Sequence, residues 1–116
     1  GGRVECRAVD MSCNPYLAAA LMLAAGLEGI REGLDPGKPH GENMYLHSEA
    51  ELHAMGVTHL PRSLEEAIDA FEADPLARQV FGPLMADTFV KFKRDEWESY
   101  NTHVSQWELD RYLKFF

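Results

Sequence analysis

Residues Pro15 to Leu27 include no charged side chain, and this pattern predicts a helix with no charged face. Asn14 can accept hydrogen bonds from the free N–H groups of a first helical turn, and Pro15 suits the first helical position. Gly33 opens a stretch rich in glycine and proline that ends the helix, so we predict a helix over residues 14–33. A helix that is apolar on all sides is usually buried on all sides. A chain of 116 residues with few other elements can hardly cover it, so we expect a buried helix and a chain that is one part of a larger protein.

The pattern over residues 34–116 predicts a helical tail. A loop rich in Gly, Pro and His over residues 34–47 comes before its first helix. Helix-start signals follow in chain order at Ser48-x-x-Glu51, Ser63-x-x-Glu66, Asp74-Pro75, Gly82-Pro83 and Ser105-x-x-Glu108. Aromatic residues at helical spacing continue from Phe89 to Phe116. This spacing indicates helices whose aromatic faces lie in a core or against a neighbouring subunit.

Residues 1–9 predict a short strand, because charged and apolar side chains alternate from Arg3 to Ala8. Residues two apart on a strand share a face, which puts Arg3, Glu5 and Arg7 in one row, here called the charged row. A guanidinium binds a phosphate or a carboxylate bidentately, and a carboxylate oxygen suits Mg²⁺. The charged row therefore suits a site for anions and a divalent metal, with a solvated strand face of paired charges as the alternative. Together the patterns predict a mostly α segment, with one N-terminal strand followed by about five or six helices.

The charge balance bears on partners and location. The chain has 11 basic and 19 acidic residues and a net charge of −8, with no evident basic patch, so we expect no nucleic-acid or membrane partner. Lys91, Lys93 and Arg94 are interpreted as a solvated helix face. No secretory signal or stretch long enough to span a bilayer is present, so we expect a cytoplasmic protein.

Cysteine and histidine usage indicates no metal centre of its own. Cys6 and Cys13 are interpreted as small buried hydrophobic residues, because two cysteines in this setting form neither a disulfide scaffold nor a zinc site. The five histidines lack a second ligand type at helical i, i+4 spacing, so we interpret them as loop or surface residues.

The residues that begin the chain resemble a known family. The string R-V-E-C-R-x-x-D-x-x-x-N-P-Y-L over Arg3–Leu17, followed by A-G-L-x-G-I over Ala25–Ile30, resembles the start of the C-terminal part of glutamine synthetases. Weaker matches follow in the same order, among them Asn43-Met44-Tyr45, Leu60-Pro61, Lys93-Arg94-x-Glu96-Trp97 and Tyr112-Leu113. The resemblance implies that residues 1–116 are a C-terminal segment of an α+β glutamine synthetase catalytic domain. Residues 1–9 would then be an active-site strand.

The resemblance assigns roles to the charged row. In glutamine synthetases the Glu of R-x-E-x-R binds the divalent ion nearest the nucleotide phosphates, which implies that Glu5 binds Mg²⁺ or Mn²⁺. It likewise implies that Arg3 binds an ATP phosphate. Arg7 would be catalytic and substrate-binding, in contact with glutamate or the transferred phosphoryl group.

Three nearby polar residues are expected to be structural. Asp10 can cap the turn after the strand, and Asn14 caps the helix. Some bacterial glutamine synthetases are adenylylated on a Tyr at the place of Tyr45, but the residues after it depart from that pattern. We therefore expect no regulation through Tyr45 and interpret it as a packing residue.

The function implied is that of an ATP-dependent glutamate–ammonia ligase that forms glutamine through a γ-glutamyl phosphate and works as a homo-oligomeric ring. Departures from common bacterial sequences at Glu5–Cys13 leave γ-glutamylmethylamide synthetase, or another glutamate–amine ligase, as an alternative. An alternative of another class is a non-catalytic helical module that binds a partner through residues 15–33. As an isolated segment the chain is expected to be inactive.

Overall fold

A computed structural model describes residues 1–115 as helices joined by turns and loops. The α-helices are α1 (Pro15–Glu32), α2 (Glu49–Ala54), α3 (Leu64–Ala73), α4 (Pro75–Phe81), α5 (Pro83–Asn101) and α6 (Gln106–Tyr112), with short 3₁₀ helices at Met44–Leu46 and Leu113–Phe115. The mostly α prediction is confirmed. The chain divides into two compact units, Gly1–Arg62 and the part from Ser63 onward. Phe116, expected in the last helix, lies outside the described residues.

The strand predicted over residues 1–9 is wrong for this chain, since the structure assigns no strand to those residues. A strand is held by hydrogen bonds to a neighbouring strand. No other strand occurs in residues 1–115 to provide those bonds. The alternating pattern alone is therefore not enough to form the element.

Helix α1 has the bounds that the sequence predicts. The side-chain oxygen of Asn14 accepts hydrogen bonds from the N–H groups of Tyr16 and Leu17 at 3.0 and 3.3 Å. At the other end Gly33 has a φ of 64°, and the N–H of Leu34 donates to the carbonyl of Gly29 at 2.9 Å. This cap needs a residue in the left-handed conformation, which glycine adopts without steric strain because it has no Cβ atom.

The expectation that α1 is buried is not met within this chain. None of its residues is buried, and Tyr16 and Ile30 are 84% and 80% exposed. In the unit Gly1–Arg62, Leu52 on α2 is the buried hydrophobic side chain among the described residues. That unit therefore has too little apolar surface to cover a helix that is apolar all round.

The second unit has a small core between α3, α4 and α5. Ile68, Ala77 and Ala86 are buried, one on each of these helices. Beside them the rings of Phe71, Phe81 and Phe89, here called the phenylalanine cluster, lie with their centroids 5.2 to 5.5 Å apart. Such edge and tilted ring pairs add to the burial of apolar area.

Arg94, interpreted with Lys91 and Lys93 as a solvated helix face, remains partly exposed but makes ion pairs that the sequence did not predict. Its guanidinium donates to Asp69 and Glu72 on α3, at 2.8 and 2.6 Å. Arg94 therefore links α5 to α3 across the groove between them. Periodicity along α5 could not reveal this, because both carboxylates lie on another helix.

Two of the predicted Ser-x-x-Glu signals form complete capping boxes. In α2 and α6, the serine hydroxyl accepts from the N–H of Glu51 or Glu108, and the glutamate side chain accepts from the serine N–H. Ser63 accepts from the N–H of Glu66 in the same way at the start of α3. The glutamates of both boxes have pKa values below the ordinary one. The main cause is the hydrogen bond from the N–H of Ser48 to Glu51 and from that of Ser105 to Glu108, and the hydroxyls of the same serines contribute less.

Candidate functional site

The charged row is only partly assembled by this chain. The Nε of Arg7 donates to Oε1 of Glu5 at 2.6 Å, so these two side chains lie on the same side of the backbone, as the sequence predicts. Both are exposed, with side-chain exposures of 86% for Arg7 and 55% for Glu5. Arg3 is also exposed and makes no ion pair within residues 1–115. The structure therefore brings Glu5 and Arg7 together and leaves Arg3 apart from them.

The residues present supply part of a divalent metal site. Mg²⁺ takes about six oxygen ligands in octahedral geometry, and the carboxylate of Glu5 is chemically suited to be one of them. The part of the chain that the structure describes holds no group of three or more His, Cys, Asp or Glu residues placed to bind a metal ion. Glu5 therefore fits as one ligand of a set that this chain does not complete.

A tight turn connects the charged row to α1. The carboxylate of Asp10 accepts a hydrogen bond from the N–H of Ser12 at 2.7 Å and another from the Ser12 hydroxyl. The carbonyl of Asp10 also accepts from the N–H of Cys13 at 3.1 Å. Asn14 follows directly as the cap of α1. The expected structural roles of Asp10 and Asn14 are confirmed.

Two expectations about packing in the first unit are wrong. Cys6 and Cys13 are free and exposed rather than buried, and the strand expected to hold Cys6 within a sheet does not form. Tyr45 does not pack within its unit and is 98% exposed.

Histidine and arginine contacts in the first unit were not predicted from the sequence. The carboxylate of Glu49 meets His59 Nε2 at 2.8 Å and accepts from Arg62 at 2.9 Å. The hydrogen bond from Arg62 is the larger cause of a lowered pKa at Glu49, and the contact with His59 is the second. His40 lies 3.6 Å from the carboxylate of Glu42. The contacts join exposed side chains and build no metal centre.

A groove in the second unit, with a cavity volume of about 410 Å³, was also not predicted. Its lining includes the apolar side chains of Phe71 and Val90 and the charged side chain of Arg94. There Arg78 donates to Asp87 at 2.5 Å, and this contact lowers the pKa of Asp87 and raises that of Arg78. The arginines are thus already paired with carboxylates. Residue spacing along a single helix does not predict ion pairs between two helices.

Comparison with known proteins identifies the class. The family model described as the glutamine synthetase catalytic domain matches residues 1–112, which is nearly the whole chain. The chain therefore belongs to the glutamine synthetase catalytic-domain family. The resemblance carried by the charged row and the following helix is confirmed.

Relatives within the family are ligases of two kinds. The glutamate–methylamine ligase of Methyloversatilis universalis is 47% identical over 116 residues, which are all of this chain and 26% of that relative. The glutamine synthetase of Archaeoglobus fulgidus is 44% identical over 111 residues, or 96% of this chain and 23% of that relative. A solved structure described as apo GmaS without ligand is 40% identical, with a TM-score of 0.72 over 87% of this chain and 23% of its own.

This chain thus spans about a quarter of the length of the curated relatives that it matches. Across residues 1–115, none of the helices has both the length and the apolar character needed to cross a membrane.

Proposed function

We propose that the full-length protein containing this chain is an ATP-dependent ligase that joins the γ-carboxyl group of glutamate to ammonia, through a γ-glutamyl phosphate. The observation that carries the proposal is the family match over residues 1–112, which includes the complete charged row. Methylamine is the second candidate acceptor, because the relative that is 47% identical is named a glutamate–methylamine ligase. The protein would act in the cytoplasm as a homo-oligomeric ring.

The charged row supplies the chemistry that phosphoryl transfer to a carboxylate needs. A carboxylate and a polyphosphate repel one another, so cationic groups must neutralise both before they can react. Arg3 would bind an ATP phosphate, and Arg7 would orient glutamate and stabilise charge on the transferred group. A divalent ion, Mg²⁺ or Mn²⁺, would add Lewis-acid stabilisation at the phosphates, with Glu5 as one of its ligands.

In this chain Arg7 is paired with Glu5. The pair is solvent-exposed, and exposed pairs contribute between about 0 and 1 kcal/mol. Separating the two groups so that each meets its own partner would therefore cost little. The ion pair is compatible with the proposed roles.

The test is phosphate release by the full-length protein with ATP, Mg²⁺ and glutamate, offered ammonia, methylamine or a polyamine in turn. Release that requires both glutamate and one amine supports the ligase and identifies the acceptor. The matched control omits glutamate, because release without it would be simple ATP hydrolysis. If no amine supports glutamate-dependent release, the ligase proposal fails and the helical interaction module takes its place.

A further inference from the structure

We propose that Asp10 is a positioning residue for the charged row, acting through the turn that connects the row to α1. The proposal rests on the proposed function, because it assigns Asp10 a role in metal and substrate binding by Glu5 and Arg7. Asp10 touches neither reacting group. It sets the direction in which the chain leaves the start of α1.

Few contacts within the chain hold the charged row in place. Among residues 1–115, the side-chain contact of Glu5 is with Arg7, and no backbone hydrogen bond outside helices involves residues 3–9. Arg3 adds no ion pair there. The position of the row relative to the rest of its unit is therefore set by the chain segment that leads to α1.

That segment is ordered chiefly by Asp10. Its carboxylate binds both the N–H and the hydroxyl of Ser12, while its carbonyl binds the N–H of Cys13. Asp at the first position of a turn favours this arrangement, because its short side chain reaches the backbone two residues on. Asn14 then fixes the first turn of α1. The two polar anchors order the turn from Asp10 to Asn14, and the row joins this turn through Ala8 and Val9.

Metal and phosphate binding is sensitive to such orienting contacts. Ligands held about 1 Å from their working position bind and react poorly. Removing a group that directly contacts a metal ligand commonly lowers metal affinity or activity by about 10- to 100-fold. Asp10 acts one step further from the metal, so we expect an effect at the low end of that range. We therefore expect the loss of the Asp10 carboxylate to act through Glu5.

The chain offers a matched control in Asp35. Its carboxylate accepts from the N–H of Gly37 at 2.9 Å, the same contact over two residues, but it lies after α1 and away from the row. Asp35→Ala therefore removes an equivalent turn without altering the approach to Glu5. Asp10→Asn keeps an acceptor oxygen for Ser12 and tests whether the hydrogen bond rather than the charge matters.

The experiment measures Mn²⁺ affinity by titration calorimetry, together with kcat and the KM for glutamate, in the full-length protein. Asp10→Ala is expected to weaken Mn²⁺ binding by about tenfold, with Asp10→Asn and Asp35→Ala within about threefold of wild type. In a Glu5→Gln background, Asp10→Ala should cause no further loss of Mn²⁺ affinity, because two residues acting through one contact are not additive.

The outcomes separate the inference from the proposed function. A wild-type protein without glutamate-dependent turnover overturns the proposed function and, with it, the premise of the inference. In an active wild type, Asp10→Ala with normal Mn²⁺ affinity overturns the inference alone. The inference is also overturned if Asp10→Asn binds Mn²⁺ as weakly as Asp10→Ala does. Equal losses of Mn²⁺ affinity in Asp10→Ala and Asp35→Ala would overturn it as well.

Discussion

At the scale of single residues, the carboxylate of Glu5 faces two kinds of positive partner. Its Oε1 accepts from Arg7 at 2.6 Å in this chain, and the same carboxylate is the proposed metal ligand. A carboxylate has two oxygens and about four lone-pair sites, so one side chain can bind a cation and still accept from a guanidinium. The pair is exposed, so Arg7 can also leave Glu5 at little cost to meet an anionic substrate.

Replacing Glu5 by Gln in the full-length protein should reduce metal-dependent kcat/KM by about two orders of magnitude or more, because it removes an anionic ligand from a site that stabilises developing charge. The control is Glu49→Gln, which neutralises an exposed glutamate of the same unit whose partners are His59 and Arg62. Steady-state kinetics at varied Mg²⁺ would measure both variants. Near-normal activity of Glu5→Gln would leave Glu5 a structural role only.

The capping box of α6 gives a pH prediction. The pKa of Glu108 is lowered from an ordinary value of 4.5. The main cause is the hydrogen bond from the N–H of Ser105, and the hydrogen bond from its hydroxyl is the second. A carboxyl group whose pKa is lower in the folded state contributes stability above its unfolded pKa and loses it as the pH falls through the folded one. This contribution is therefore present at neutral pH and disappears in acid, below pH 4.5.

Ser105→Ala removes the hydroxyl and should raise the pKa of Glu108 part of the way towards 4.5, since the backbone N–H remains. Carboxyl ¹³C NMR titration of this chain would measure the change. Ser48→Ala is the internal control, because it should move the pKa of Glu51 and not that of Glu108. An unchanged pKa of Glu108 in Ser105→Ala would contradict the role of the hydroxyl.

Residue-level features that depend on near neighbours in sequence could be predicted. Asn14, Ser48 and Ser105 cap helices because each partner lies two or three residues away. The partners of Arg94 could not be predicted in this way. Asp69 lies on a different helix, and only folding brings Arg94 and Asp69 together. The roles of the charged row come from the family resemblance, since spacing alone leaves a solvated face as an alternative.

At the scale of elements, helices are the part of this chain that its sequence determines best. An α-helix makes its backbone hydrogen bonds within one segment, so its caps and spacing predict it. The expected strand over residues 1–9 fails because its bonds need a second strand, and none is present in the described part of the chain. This chain does not provide the burial predicted for α1, since covering a helix that is apolar all round requires other elements.

The phenylalanine cluster should contribute most to the stability of the second unit. Phe71→Ala is expected to lower the free energy of unfolding by about 2 to 4 kcal/mol, since it removes a ring from a packed group of three. Phe92→Ala is the matched control, because this ring on α5 is 64% exposed. It should change stability by no more than about 0.5 kcal/mol. Urea unfolding followed by circular dichroism would compare the two, and equal losses would contradict a core at the cluster.

At the scale of the whole molecule, the described chain matches about a quarter of the length of its curated relatives. Residues 1–115 hold no group of three or more His, Cys, Asp or Glu side chains placed to bind a metal ion. The chain contributes one row of side chains to the chemistry that we propose. The rest of the proposed site would come from elsewhere in the full-length protein.

The 116-residue chain by itself should therefore show no glutamate-dependent ATP hydrolysis. The measurement is phosphate release with ATP, Mg²⁺, glutamate and ammonia, compared with the full-length protein under the same conditions. Its control is the same chain without glutamate, which detects contaminating ATPases. Glutamate-dependent release by the purified chain that Glu5→Gln abolishes would show that the site is complete within it.

The arrangement of the phenylalanine cluster has a consequence for how the chain folds. Its three rings lie within residues 71–89, on helices that are consecutive in sequence. Closing such short loops costs little entropy, and proteins dominated by local contacts fold in roughly microseconds to milliseconds. Helices α3, α4 and α5 can therefore collapse on one another early, as a nucleus that does not depend on distant parts of the polypeptide.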